Sequence, residues 1–111
     1  PRLVGLGNTF LLQYTGDRVY GAEAFRMGLV GRVVPHEELM LAAMELASRI
    51  ARGATQSMSL IKYLVHRSLD TDLEESLDLA HVAQDISRGT EDHKEAVQAF
   101  LEKREPKFKG R

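Results

Sequence analysis

The sequence predicts a mainly α-helical fold with one short strand near residues 29–34. Apolar residues recur at helical spacing in four successive segments that follow Pro35. Glycine, proline and helix-capping residues separate these segments. Only residues 29–34, LVGRVV, are short, apolar and β-branched enough for a strand. Because a single strand leaves its backbone groups unpaired, we expect this strand to join a sheet outside the chain.

The first third of the chain is expected to contain two short helices. Asn8 can cap a helix over residues 9–14 that ends at Gly16. A second helix is predicted over residues 21–27, since Gly28 can take the left-handed conformation that ends a helix. The predicted strand follows directly.

Four longer helices are predicted after this connector. Pro35 cannot continue a sheet ladder but fits the first turn of a helix. Thr90 is a suitable cap for the last helix, and Pro106 prevents helix beyond it. The predicted ranges are 36–52, 56–69, 73–88 and 90–104. In the last helix the apolar residues expected to be buried are Ala96, Val97, Phe100 and Leu101.

The composition narrows the class of protein. With 43% hydrophobic and 28% charged residues, the chain resembles ordinary soluble globular proteins, which argues against wholesale disorder. It has no cysteine, so disulfides and thiolate sites are excluded. The lack of cysteine fits a reducing compartment, and we expect a cytoplasmic location. The chain begins abruptly at Pro1 without a methionine, and we expect it to be part of something longer.

The charge is unevenly distributed although its net value is −1. Residues 53–93 carry three basic and eight acidic side chains, hence −5, whereas residues 100–111 carry five basic and two acidic ones, hence +3. A basic end after an acidic middle favours an anionic ligand near the C-terminus, or else a solvated tail. The basic excess is too small to indicate nucleic-acid binding.

Motifs for several common chemistries are missing. The four histidines form no i,i+4 pair and no HExxH motif, which argues against a metal site. The acids from Asp70 to Glu74 start like a calcium loop, but the sixth position is Glu75 and the twelfth His81. Gly5-x-Gly7 lacks the third glycine of a dinucleotide loop, and no G-x-S-x-G elbow is present. The acidic residues are interpreted as solvated charges at helix ends and on polar faces.

Three segments of the chain resemble the enoyl-CoA hydratase/isomerase (crotonase) family, in the family's order. PRLVGLG with Thr15-Gly16 resembles the helix that follows the family's second catalytic acid. The connector TGDRVYGAEAFRMGLVGRVVP resembles the family's TG…GLV-x-x-VV-P segment. The closing TEDHKEAVQAFLEKREPKFKGR resembles (S/T)-x-D-x-x-EG-x-x-AF-x-EKR-x-P-x-F-x-G. Ala96 departs from the usual glycine, and Tyr20-Gly21 stands where Ser-Ala is common. The polar end of the third long helix puts the acyl-chain preference in doubt.

The resemblance implies the C-terminal helical (trimerisation) region of the crotonase fold. It divides the chain into a helix and connector leading out of a missing spiral core (1–35), the helical region (36–105) and a basic tail (106–111). The oxyanion hole and the glutamates of the family correspond to segments upstream of Pro1, so no catalytic residue is expected here. The matching motif assigns Phe100 to the adenine and Lys103 to a phosphate of coenzyme A. The tail is expected to add positive charge near these two residues.

The implied partners and chemistry follow from the same resemblance. The substrate is an acyl-CoA, coenzyme A is part of that substrate and no separate cofactor is implied. The parent enzyme is implied to be a homo-oligomer, a trimer or hexamer. Independently of the resemblance, the small basic excess argues against a nucleic-acid partner, and no apolar run approaches the roughly 18 residues needed to span a membrane. Two functions stay open: part of an acyl-CoA hydratase/isomerase that is inactive alone, or a free-standing helical protein-interaction module without catalysis.

Overall fold

The computed structural model describes residues 1–111. It is 67% helical and contains no strand, which confirms the mainly α prediction. The chain divides into two compact units, Pro1–Met44 and Glu45–Arg111. No helix has the length and apolar character needed to cross a membrane.

The first unit opens with α1 (Gly5–Thr15), which begins earlier than predicted. Asn8 is not its cap, because the Asn8 side-chain amide donates to the carbonyl of Val4 at 3.0 Å inside the first turn. Gly5 has a φ of 75°, which only glycine adopts at low cost, and this sharp entry lets the helix start there. The predicted end is confirmed, since Gly16 is a left-handed cap with φ 66°.

The connector contains α2 (Gly21–Arg26) and a left-handed Gly28 with φ 79°, both as predicted. The strand predicted over residues 29–34 is wrong, because these residues form no backbone ladder. The physical reason is that no second strand exists in the chain to pair with them. Val33 packs against α2 instead: a Cβ added at Gly21 would lie 3.0 Å from Cγ1 of Val33. A side chain at position 21 would therefore require Val33 to shift slightly.

The helices after Pro35 follow the predicted ranges closely. A 3-10 turn at His36–Glu38 precedes α3 (Leu39–Ala51). Then come α4 (Thr55–Arg67), α5 (Leu73–Arg88) and α6 (Glu91–Glu102).

Helices α4 and α5 form an antiparallel hairpin. The hydroxyls of Ser57, at the start of α4, and Ser87, at the end of α5, are 2.8 Å apart. At the other end of the pair Arg67 reaches Glu75 at 3.3 Å. Asp72 caps α5 by accepting the backbone N–H of Glu75 at 2.9 Å. These contacts fix both ends of the hairpin.

Helix α6 is capped as predicted but buries a different face. The Thr90 hydroxyl accepts the backbone N–H of His93 at 3.0 Å and donates to the carbonyl of Ser87 at 2.7 Å. The buried residues of the helix are Asp92 and Ala99, at 2% and 1% exposure. The predicted burial of Val97, Phe100 and Leu101 is wrong, since all three are exposed, while Ala96 is half-buried. Nothing in the chain covers that apolar face, so helical periodicity marked a surface that this chain leaves open.

Candidate functional site

The C-terminal end of α6 is built by one left-handed residue. Lys103 has φ 53° and ψ 41° and is the only residue other than glycine with a positive φ. Its backbone N–H donates to the carbonyl of Phe100 at 3.2 Å, and the backbone N–H of Arg104 donates to the carbonyl of Ala99 at 3.0 Å. These two bonds satisfy the last carbonyls of the helix in the manner of a Schellman cap. Glycine is the usual residue here, because a side chain costs roughly 1–2 kcal/mol in this conformation.

The guanidinium of Arg104 ties this turn to α6. It donates to the Glu95 carboxylate through two nitrogens, at 2.6 and 3.1 Å, and to Glu102 through Nε at 2.5 Å. The hydrogen bond from Arg104, followed by that from the backbone N–H of Lys107, lowers the pKa of Glu95 to about 2. Hydrogen bonds from Gln98 and then Arg104 lower the pKa of Glu102. The two carboxylates raise the pKa of Arg104 above its ordinary value.

The basic tail is bound to α6 through its backbone, although its basic side chains are exposed. Residues 106–111, here called the C-terminal strap, fold back along α6 towards its N-terminus. The backbone N–H groups of Lys109 and Gly110 donate to the buried carboxylate of Asp92 at 2.7 and 2.9 Å. The backbone N–H of Asp92 donates to the carbonyl of Arg111 at 3.0 Å. The strap thus fills an acceptor site on α6 that no side-chain cation occupies.

The strap carries its charge away from Lys103. Arg111 pairs with Glu91 at 3.2 Å, at the first residue of α6, whereas Lys103 follows the last residue. Twelve residues of helix separate the two ends, which is about 18 Å at 1.5 Å per residue. The expectation that the whole tail adds positive charge near Phe100 and Lys103 is therefore wrong, because the chain reverses after Lys103.

Phe100 and Lys103, the residues assigned to coenzyme A, lie at the open end of α6. The Phe100 ring is 81% exposed. Lys103 is also exposed, and its ammonium group takes part in no ion pair. The two do not share a regular helical face, because Lys103 lies just beyond the helix in a left-handed turn. Their side chains are nevertheless free to meet a ligand or a partner.

The sequence did not indicate that the carboxylates of Asp92 and Glu95 hold the segment that follows α6. Both were interpreted as solvated helix charges, yet Asp92 is buried and Glu95 accepts from Arg104 and Lys107. One signal was available, because carboxylates at i and i+3 share a helix face. A proline-led segment followed that helix, and its backbone N–H groups needed acceptors.

Among the surface depressions of the second unit, two have volumes close to 400 Å³. One, of about 400 Å³, is lined by charged residues of α6 and the strap, including Lys94, Lys107 and Lys109 with Glu91 and Glu95. The other, of about 390 Å³, lies between α4 and α5 and is mainly apolar, with His81 and two serines on its wall. No group of three or more histidine, aspartate or glutamate side chains is placed to hold a metal ion.

A match to a family model over the whole chain shows which family it belongs to. The family model for enoyl-CoA hydratase/isomerase matches residues 1–111. The chain belongs to the enoyl-CoA hydratase/isomerase family. Among curated members, the crotonyl-CoA hydratase of Syntrophomonas wolfei is 38% identical over 108 residues, covering 97% of the chain and 42% of that protein. The short-chain-enoyl-CoA hydratase of Clostridium acetobutylicum is 38% identical over 103 residues, covering 93% of the chain and 40% of that protein.

A solved member of the enoyl-CoA hydratase/isomerase family has the same fold in this region. The crystal structure of enoyl-CoA hydratase from Bacillus anthracis superposes with a TM-score of 0.95 at 38% identity, covering 100% of the chain and 43% of that structure. The helical fold matches the C-terminal region of the crotonase fold. The chain spans about two-fifths of the length of these relatives.

Proposed function

We propose that the chain is the C-terminal helical region of an enoyl-CoA hydratase/isomerase that acts on acyl-CoA thioesters by reversible hydration of a 2-enoyl-CoA. In this role it supplies subunit contacts and part of the coenzyme A site, and it is inactive alone. The family match over residues 1–111 supports the class of enzyme. The observation that carries the coenzyme A role is the pairing, within four residues, of an exposed aromatic ring with an unpaired ammonium group.

Phe100 and Lys103 suit the two chemical features of the nucleotide end of coenzyme A. An exposed ring offers a face on which adenine can stack, and base–aromatic stacking contributes about 1–3 kcal/mol per base. A lysine ammonium meets a phosphate as a point charge. No carboxylate of the chain pairs with Lys103, so the ammonium need not leave a partner before it binds. We expect these contacts to hold the part of the substrate that does not react.

Inactivity of the isolated chain is proposed on chemical grounds. Hydration of a 2-enoyl thioester builds negative charge on the carbonyl oxygen and needs hydrogen-bond donors there, with acid–base groups within reach. The family motifs place none of these groups on residues of this chain. Its two most constrained carboxylates already have structural partners: Asp92 holds the strap, and Glu95 holds Arg104 and Lys107.

A role in subunit contacts is proposed from the apolar surface. The first turns of α3 expose Leu39, Met40, Leu41 and Met44, and the end of α6 exposes Val97 and Leu101 beside Phe100. Exposed patches of more than a few hundred Å² commonly mark interaction sites. We propose that they face other subunits of a trimer or hexamer. The alternative of a free-standing interaction module uses the same surface but requires no response to coenzyme A.

Assaying the purified chain with crotonyl-CoA tests the proposed lack of activity. We expect no turnover above the rate without protein. The chain should be produced in a host that lacks its own enoyl-CoA hydratases, so that contamination cannot supply the rate. Turnover that copurifies with the chain under those conditions would contradict the proposal.

A further inference from the structure

The left-handed backbone of Lys103 needs an explanation, because a lysine is strained where glycine is usual. The two backbone bonds of the helix cap form equally well with glycine and do not account for a side chain at this position. What distinguishes this cap is the residue after it. Arg104 reaches back to a carboxylate nine residues earlier in the chain.

The ion pair and the left-handed turn depend on each other geometrically. If Lys103 adopted a right-handed conformation and the helix continued, Arg104 would lie nine residues, or about 13 Å, along the axis from Glu95. The observed separation of Nη1 and Oε1 is 2.6 Å. Reversal of the chain at Lys103 brings the Arg104 guanidinium back to Glu95. Because the ion pair can form only with this reversal, it stabilises the left-handed conformation of Lys103.

Glu95 also connects this turn to the strap. The oxygen that accepts from Arg104, Oε1, accepts the backbone N–H of Lys107 at 2.8 Å. The strap continues from there to Asp92, whose carboxylate holds Lys109 and Gly110. One side chain therefore secures both the turn that carries Lys103 and the first residues of the returning segment.

We propose that Glu95 is a positioning residue for Lys103: its carboxylate, by binding Arg104 and the backbone of Lys107, holds Lys103 in the left-handed turn at the open end of α6. Only the contact between Lys103 and coenzyme A rests on the proposed function. The hold on the turn itself can be measured without coenzyme A. A failed coenzyme A experiment and a failed turn experiment are thus distinguishable.

Nuclear magnetic resonance of the 111-residue chain tests the proposal. A strong intraresidue NOE between the amide and α protons of Lys103 reports the positive φ, and amide exchange of Arg104 reports the turn. We expect Glu95→Gln to weaken the NOE and to speed the exchange of Arg104 about tenfold or more. Glu105→Gln is the matched control, since the Glu105 side chain makes no ion pair, and should change exchange less than about twofold.

Replacing Lys103 distinguishes a role of Glu95 in positioning Lys103 from a general contribution of Glu95 to stability. In Lys103→Gly the turn needs no support, because glycine takes the left-handed conformation freely. Adding Glu95→Gln to that background should therefore speed the exchange of Arg104 by less than about threefold. An equal acceleration in both backgrounds, or an unchanged NOE in Glu95→Gln, overturns the proposal. If Glu95→Gln does not fold, Arg104→Lys, which loses the two-nitrogen contact, takes its place in the same comparison.

Discussion

Oδ2 of Asp92 accepts the backbone N–H of Gly110 at 2.9 Å, across 18 residues of chain. Its other oxygen accepts the N–H of Lys109 at 2.7 Å, and the side chain is almost completely buried. A carboxylate near the start of a helix also interacts favourably with the helix dipole. Asp92 therefore anchors the last residues of the C-terminal strap, while Glu95 holds its beginning at Lys107.

Asp92→Asn should release the strap. The amide keeps one acceptor and places an N–H₂ group against a backbone N–H, so at least one buried donor loses its partner. We expect the free energy of unfolding to fall by about 1–3 kcal/mol, measured by urea denaturation. Trypsin should then cleave after Lys109 faster than in the unmodified chain.

Asp78→Asn is the matched control for this change, because Asp78 is exposed in α5 and has no hydrogen-bond partner. It should leave both stability and cleavage unchanged. Equal cleavage rates in the Asp92 variant and this control would show that the strap does not depend on the buried carboxylate.

Glu95 should give the chain a distinct acid sensitivity. Its pKa is about 2 in the folded state and 4.5 when unperturbed, so the unfolded state binds more protons between these values. The stability that Glu95 contributes is fully present above about pH 4.5 and is lost as the pH falls towards 2. We expect the free energy of unfolding of Glu95→Gln to fall less steeply over this range than that of the unmodified chain.

Denaturation curves at several pH values test this expectation, with Glu105→Gln as the control. Glu102 also has a lowered pKa and contributes to the pH dependence of all three chains. Because the Glu95 charge raises the pKa of Glu102, its removal lowers that pKa further, which opposes the expected flattening and makes a flatter curve for Glu95→Gln the more telling result. Parallel curves for the unmodified chain and Glu95→Gln would count against the ion pair.

Lys103→Gly should stabilise the chain although it removes a side chain. Relief of the left-handed strain at φ 53° is expected to raise the free energy of unfolding by about 1 kcal/mol. The same substitution inside the helix, Lys94→Gly, should lower it by about 1 kcal/mol. Lys94 is exposed and is the fourth residue of α6, with a right-handed helical backbone, so it is a suitable control. If both substitutions destabilise alike, Lys103 is not strained.

The isolated chain should self-associate. Its buried apolar residues are only alanines, Ala24, Ala83 and Ala99, while many large apolar side chains are exposed. We expect multi-angle light scattering to detect a dimer or larger species whose proportion grows with concentration. Leu41→Glu, on the exposed surface of α3, should shift the population towards monomer. A monomer at every concentration would contradict the proposed subunit contacts.

The sequence predicted the helices better than the surfaces they bury. The bounds of α5, Leu73–Arg88, agree with prediction, because Asp72 is a strong cap and Gly89 ends the periodic pattern. The start of α1 was misplaced, since the left-handed Gly5 allows an entry that the Asn8 cap signal did not indicate. Strand propensity in residues 29–34 failed because a strand needs a partner and the chain has none.

The candidate site was predictable in part. The family motif selected Phe100 and Lys103, but burial on α6 was assigned to the wrong face. Periodicity shows which residues share a face and not which face a neighbour covers. The strap could not be predicted from composition, because its basic side chains suggest a solvated tail while its backbone N–H groups determine its position.

The most direct test of the proposed function is the KM of a chimaera for crotonyl-CoA. Residues 1–111 would replace the matching segment of the Syntrophomonas wolfei crotonyl-CoA hydratase, which is 38% identical over 108 residues. Lys103→Ala in this chimaera should raise KM about fivefold, the equivalent of about 1 kcal/mol, with kcat unchanged, because the contact is made equally in ground and transition states. Lys94→Ala should change neither constant. An unchanged KM in Lys103→Ala, or a loss of kcat alone, would contradict the assignment of Lys103 to coenzyme A.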